Sequence, residues 1–223
     1  MPEGKPAEAA QEPAPDPLVG GLPSLKEEEP LPGVPTLQVD AAVFKTHKRK
    51  VMGNVVRGEL DGKSVLDLDL LALPRGAPAV HTAEAEWRAL LLALRTARKQ
   101  RRYRGPLQIL TDAQSSVHAW RNGMGAFVGW DPPPPAWSEG VSVLWVPRAR
   151  IAETDHALRF WTRFLVPAVL GGGVPQVAHA FGLADIPKDE GFRVRLSLQD
   201  AVVKTWVERS PSVGPGDSGS ATG

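Results

Sequence analysis

Four acidic residues stand where they could do chemistry: Asp40, Glu86, Asp112 and Asp155. The chain has no cysteine, so thiolate metal sites, a Cys nucleophile and disulfide scaffolds are all excluded. Asp40 interrupts the apolar run "TLQVDAAVF", and Asp112 closes the run "LQILTD" at its carboxyl end. Asp155 opens a helix that follows "VLWVPR". Glu86 lies early in "HTAEAEWRALLLAL". Carboxylates that converge without partners repel one another, and one or two hard, oxygen-seeking cations such as Mg²⁺ resolve the repulsion. Taken singly, each Asp reads as a turn or cap residue. The metal reading rests on the elements that would bring the four together.

Those elements follow from hydrophobic period. In residues 36–44, Leu37, Val39, Ala41 and Val43 alternate on one face of a strand. Residues 51–60 and 63–74 are two further strands, joined at Asp61-Gly62, a hairpin signal. A helix capped by Thr82 runs to about Gln100, with Trp87, Leu90, Leu91 and Leu94 as its buried stripe. Residues 106–112 form a short apolar strand, 113–123 a helix, 140–147 a strand, and 152–165 a last helix. The order β-β-β-α-β-α-β-α predicts a mixed five-stranded α/β sheet in which strands one and four are parallel neighbours. Their carboxyl ends lie where the chain order reverses, the usual place for a site in an open α/β sheet.

The two helix glutamates differ. Glu84 precedes Arg88 by four residues, the favourable order for an exposed ion pair at a helix N-terminus. Glu86 has Ala89, Leu90 and Ala93 as its helical neighbours and no cationic partner on its own helix. A carboxylate at that edge of the core must find hydrogen bonds, raise its pKa or bind a cation.

Residues 36–165 resemble the type 1 ribonuclease H family. "VDAAV" resembles the first-strand Asp motif, "AEWRAL" the helix Glu motif and "LTDAQSSVHAW" the second Asp motif. "VPRARIAETDHAL" resembles the final segment of the archaeal-like branch, with Arg148 near the place where many bacterial members carry a His. The resemblance implies a ribonuclease H-like fold and a metal-dependent endonuclease that hydrolyses the RNA strand of RNA·DNA hybrids. It implies Asp40, Glu86, Asp112 and Asp155 as catalytic ligands to two Mg²⁺ or Mn²⁺ ions. A nuclease directed at DNA or at junctions, and a binding module without turnover, stay open beside it.

Charge adds a partner. Residues 37–121 hold fifteen bases against eight acids, which suits a polyanion. "KTHKRK" offers Lys45, Lys48, Arg49 and Lys50, and "RKQRRYR" offers Arg101, Arg102 and Arg104, as contacts to a nucleic-acid backbone. Asn54, Gln114 and Arg148 are further candidates near the acids. Trp120, Trp130 and Trp137 surround "GWDPPPPAW" and are read as core packing or a stiff polyproline segment.

The ends are read as accessories. Residues 1–35, rich in Pro and Glu with no hydrophobic period, are expected to be a disordered or weakly ordered arm, suited to a protein partner. No apolar segment follows a basic start, so no signal peptide is expected and a cytoplasmic location is. Residues 164–183 are broken by Pro and Gly and are not expected to cross a membrane. Residues 166–209 are read as a small extension in which "VPQVAHAFGL" is a short helix, "FRVRLSL" a strand and "QDAVVKTWVE" a helix; 210–223 are read as a flexible tail.

Overall fold

The computed structural model describes residues 23–45, 50–73, 77, 80–122, 132–169, 192–199 and 202–209. Strands β1 (Thr36–Lys45), β2 (Lys50–Leu60) and β3 (Lys63–Ala72) form an antiparallel meander. Its second turn places Asp61 and Gly62 both at positive φ, the backbone that Asp-Gly tolerates best. Helix α1 (Thr82–Arg95) continues into a π-helical turn, Thr96–Gln100, so the helical path ends at the expected residue. Strand β4 (Leu107–Thr111), helix α2 (Gln114–Arg121), the short helix α3 (Pro135–Ser138), strand β5 (Val141–Trp145) and helix α4 (Ala152–Val169) follow. β4 pairs parallel with β1, and β5 parallel with β4. The order β5-β4-β1-β2-β3 is the mixed α/β arrangement that the sequence predicts.

The core is divided by the sheet. Leu37, Val39 and Ala41 of β1, with Met52, Val56, Leu107 and Ile109, pack under Trp87, Leu90, Ala93 and Leu94 of α1. On the other face Val51, Val55, Leu68 and Leu70 pack with Leu158 of α4. A one-residue slip of β1 would exchange Val39 and Ala41 for Asp40, so burial fixes the register that the site needs. Trp120 and Trp137 pack against the α1 core, as expected; Trp130 lies outside the described residues.

Two expectations fail here. "QDAVVKTWVE" is not a helix but strand β7 (Val202–Arg209), paired antiparallel to β6 (Phe192–Gln199). β6 pairs in turn with β3, making seven strands. The extension thus continues the sheet. Its recruitment is polar as well as apolar: buried Asp69 accepts the Nε–H of Arg193 at 2.7 Å, and buried Asp67 accepts the hydroxyls of Ser197 and Thr96. Residues 23–35 are the second correction. They lie along the domain, with Leu31 N–H and C=O bonded to the side-chain amide of Gln108 at 2.8 and 3.0 Å. Side chain-to-backbone bonds hold this strap, which is why its lack of hydrophobic period misled. Residues 1–22, the helix expected over 174–183 and the tail 210–223 lie outside the described residues. No described helix is long and apolar enough to cross a membrane.

Removing Arg193 would leave Asp69 as a buried, unpaired charge. Arg193→Met is expected to destabilise the protein by about 2–4 kcal/mol, and the double variant Asp69→Leu/Arg193→Met by clearly less. Urea unfolding of the single and double variants measures the difference.

Candidate metal centre

The pairing of β1 with β4 covers only Thr36 to Gln38, ending at Gln38 opposite Leu110. Asp40 and Asp112 each lie two residues beyond that last pair, where the two strands part. Glu86 reaches the same place from the first turns of α1. The helix comes close to the sheet because Ala85, Ala89 and Ala93 are fully buried there and add little bulk. Ligand oxygens of Asp40, Glu86 and Asp112 lie within 4.8 Å of one another.

This trio is electrostatically unusual. Asp40 is 3% exposed and Glu86 8%. One oxygen of Asp40 accepts the Ala41 N–H at 2.9 Å, but its Oδ2 and the Oε2 of Glu86 are buried without a hydrogen-bond partner. Burial, with the charges of Asp112 and Asp155 nearby, pushes the Asp40 carboxyl up to about 7. Burial, then the charges of Asp40 and Asp112, pushes Glu86 up to about 9. Burial also raises Asp112, against the opposing pull of Arg148. Buried oxygens of this kind are the donors a hard divalent cation takes, and the three side chains fit one.

Asp155 stands apart from the three. Its Oδ1 accepts the Arg148 Nη2–H at 2.6 Å, and its Oδ2 is 2.9 Å from the Arg159 Nε. Burial pushes its carboxyl up, but the bonds from Arg148 and Arg159 outweigh this and hold it below the usual carboxylate value. Three of the four expected acids therefore meet, and the fourth is claimed by arginines. The Asp155–Arg159 spacing of four residues is legible in the sequence and signals this pairing. Glu84 and Arg88 pair at 3.0 Å, as expected, away from the trio.

The support behind the acids was less visible. Thr154, fully buried, donates its hydroxyl to Gln38 Oε1 at 2.7 Å, tying the start of α4 to β1 beside Asp40. The indole N–H of Trp145 donates to the Asp112 carbonyl at 3.1 Å.

The nucleic-acid candidates divide. Arg102 and Arg104 are exposed and Lys50 half-buried. Arg101 donates to the Ser64 carbonyl at 3.1 Å, and Gln114 Oε1 receives the Leu25 N–H at 3.5 Å. Arg148 is engaged with Asp155. Asn54 is buried, facing Ala41 and Asp69 across the sheet, which removes it from surface contact. Lys48 and Arg49 lie outside the described residues, as does the side chain of Lys45. Arg98, within the second basic cluster, is also buried. It donates to the carbonyls of Tyr103, Gly105, Trp137 and Glu139 and is a structural cross-link.

The raised carboxyls set a pH dependence. The folded protein keeps protons on Asp40 and Glu86 that the unfolded chain has already lost, so this stability is fully present below the ordinary values of 3.8 and 4.5. It is lost as pH rises through about 7 and about 9. In EDTA the melting temperature should fall between about pH 5 and about pH 9, and excess Mn²⁺ should restore it most strongly at the alkaline end. Glu86→Gln should flatten both trends. Melting curves across that range, with and without the ion, test this.

No protein-family model matches the chain, and no curated protein does. Among solved structures, it is similar to the RNase H1 of the halophilic archaeon Halobacterium salinarum NRC-1, at 21% identity and a TM-score of 0.35. That match covers 56% of this chain and 94% of the other. It is also similar to LC11-RNase H1, isolated from compost by a metagenomic approach, at 13% identity and a TM-score of 0.34, over 56% of this chain and 93% of that one.

Proposed function

We propose that the chain is a metal-dependent endonuclease that hydrolyses the RNA strand of RNA·DNA hybrids. The observation that carries the reading is the trio Asp40, Glu86 and Asp112, with buried, unpartnered carboxylate oxygens at the parting of β1 and β4. A divalent cation, Mg²⁺ or Mn²⁺, would supply Lewis acidity to the phosphodiester and to the attacking water. The residues of the chain do the rest. Asp40, Glu86 and Asp112 would hold the ion, Asp40 and Glu86 giving up the protons that burial lets them keep, and the apolar surroundings of Glu86 would limit competing water. Asp155 would join them as the fourth acid on exchanging Arg148 or Arg159 for another cation. Arg148, 59% exposed in its side chain, is placed to move from that carboxylate to a phosphate of the substrate. Exposed Arg102 and Arg104 contribute sequence-independent attraction for the backbone. Choosing RNA over DNA requires contacts to 2′-hydroxyls, and Gln114, at the start of α2 beside Asp112, is the polar side chain we assign to them.

The test is cleavage of strand-labelled RNA·DNA hybrid, double-stranded DNA and double-stranded RNA with Mg²⁺ or Mn²⁺. RNA cut only within the hybrid, with Asp112→Asn slower by at least ~100-fold, is the expected result; the loss follows from the few kcal/mol that the ligated ion supplies. DNA cleavage with the same sensitivity would keep the site and reassign the substrate to DNA or junctions. No cleavage of any substrate would leave a binding module and overturn the enzyme.

A further inference from the structure

The acidic run Glu27-Glu28-Glu29 lies on the flank of the metal centre. The strap is anchored on both sides of it. On the α2 side the Pro23 carbonyl is 3.0 Å from His118 Nε2, and Leu25 packs against the α1 core. Beyond the run, Leu31 is held by Gln108. Between these anchors the strap covers the outer edge of β5: Glu28 N–H donates to the Trp145 carbonyl at 3.2 Å, and Glu28 Oε1 accepts the Trp145 N–H at 3.3 Å.

The glutamates meet arginines in alternation, as in an extended chain. Glu28 takes the Arg121 Nη2 through both oxygens, at 2.6 and 2.5 Å. Glu29 is 2.7 Å from Arg150 Nη2, and Glu27 is 3.6 Å from Arg150 Nε. Both arginines lie on elements that flank the site. Arg121 ends the helix that begins just after Asp112, and Arg150 shares the 3₁₀ turn Arg148–Ile151 with the partner of Asp155. Trp145 links the two regions, since its backbone meets Glu28 and its indole meets the Asp112 carbonyl.

From this we infer that Arg121 and Arg150 are a binding surface for a polynucleotide backbone, and that Glu27, Glu28 and Glu29 occupy it as internal substitutes for phosphates. The inference rests on the nuclease reading above. The exchange is energetically accessible. Glu29 is 74% and Arg150 46% exposed, and ion pairs of that exposure contribute little net stability. A phosphate that replaces the carboxylate also releases condensed counterions. The anchors at Pro23, Leu25 and Leu31 need not let go, because only the glutamate side chains swing aside. The strap therefore lowers affinity for any polyanion without leaving the domain. It favours a strand that engages the metal centre as well over one that touches the arginines alone.

The experiment measures binding by the full chain, in EDTA to prevent turnover. Fluorescently labelled RNA·DNA hybrid and DNA duplexes are titrated over a range of salt. Two strap variants are compared: Glu27→Gln/Glu29→Gln, which leaves the Glu28 contacts to β5 in place, and the triple Glu→Gln. The triple variant should bind about tenfold tighter near ~0.1 M salt, with a slope of log affinity against log salt steeper by about 1–2, as one or two more phosphates are engaged. The double variant should move the same way by about threefold. In an Arg121→Gln/Arg150→Gln background the strap substitutions should change nothing. Unchanged affinity and slope, in strap variants whose melting curves show them folded, would overturn the inference. Tightening that persists without the two arginines would overturn it too, since general charge would then suffice. Failure of every form to bind any duplex would overturn this inference together with the nuclease reading, whereas tight binding indifferent to the strap overturns this one alone.

Discussion

The structure turns on carboxylates buried where two strands separate. β1 and β4 stay paired only through Gln38 and Leu110, and the gap that opens beyond them takes Asp40 and Asp112 from the sheet and Glu86 from α1. Removing a carboxylate from water costs several kcal/mol unless charge or hydrogen bonds compensate. Asp40 Oδ2 and Glu86 Oε2 have no such partner among the described residues. The neighbouring acids worsen the cost, and the raised pKa values of Asp40 and Glu86 express it. The core pays this cost through the alanines of α1, whose small side chains let the helix carry Glu86 down to the sheet. A bulkier residue at Ala89 or Ala93 would lift the helix and separate the three ligands.

Around this centre the charge is arranged in shells of opposite sign. Arg148 and Arg159 neutralise Asp155, and Arg57 pairs with Glu153 at the start of the same helix. Further out, the strap glutamates neutralise Arg121 and Arg150. The inner acids stay short of cations while the surrounding arginines are each matched by an acid. Such an arrangement gathers three acids that lack a cationic partner at one place, where a divalent ion would gain most, and leaves the surrounding pairs exposed enough to exchange partners.

The sequence made the central five strands and the four acids legible because each announces itself locally. Alternation at Leu37, Val39 and Ala41 gives a strand, Asp61-Gly62 gives its neighbouring hairpin, and the alanines flanking Glu86 separate it from Glu84. What stayed hidden depends on partners distant in the chain. In "QDAVVKTWVE" the apolar residues Val202, Val203, Trp206 and Val207 fall in a helix-like spacing, yet the open edge of β6 offers main-chain pairing that decides for a strand. The strap at residues 23–35 has no hydrophobic period at all; its bonds to the domain come from residues such as Gln108, Trp145, Arg121 and Arg150, none within 70 residues of the groups they hold. Asp155 was legible as an acid at the start of the last helix, but its capture by Arg148 depends on the turn that precedes α4.

Helix α1 shows how buried polar groups can be sorted by what satisfies them. Each end of its helical path carries one ionisable side chain inside the protein, Glu86 near the start and Arg98 in the closing π-helical turn. Arg98 gives its donors to four carbonyls from two separate loops, so its charge is fully used in holding those loops together. Read from the sequence, it belonged to a basic cluster aimed at nucleic acid. Glu86 has the opposite condition: it is nearly as deep, and one oxygen meets nothing. A buried charge whose donors are all taken serves the fold, whereas a buried carboxyl oxygen without a partner is free to serve a site. By that criterion the two ends of one helix have different duties: Arg98 ties the neighbouring segments together, and Glu86 meets Asp40 and Asp112.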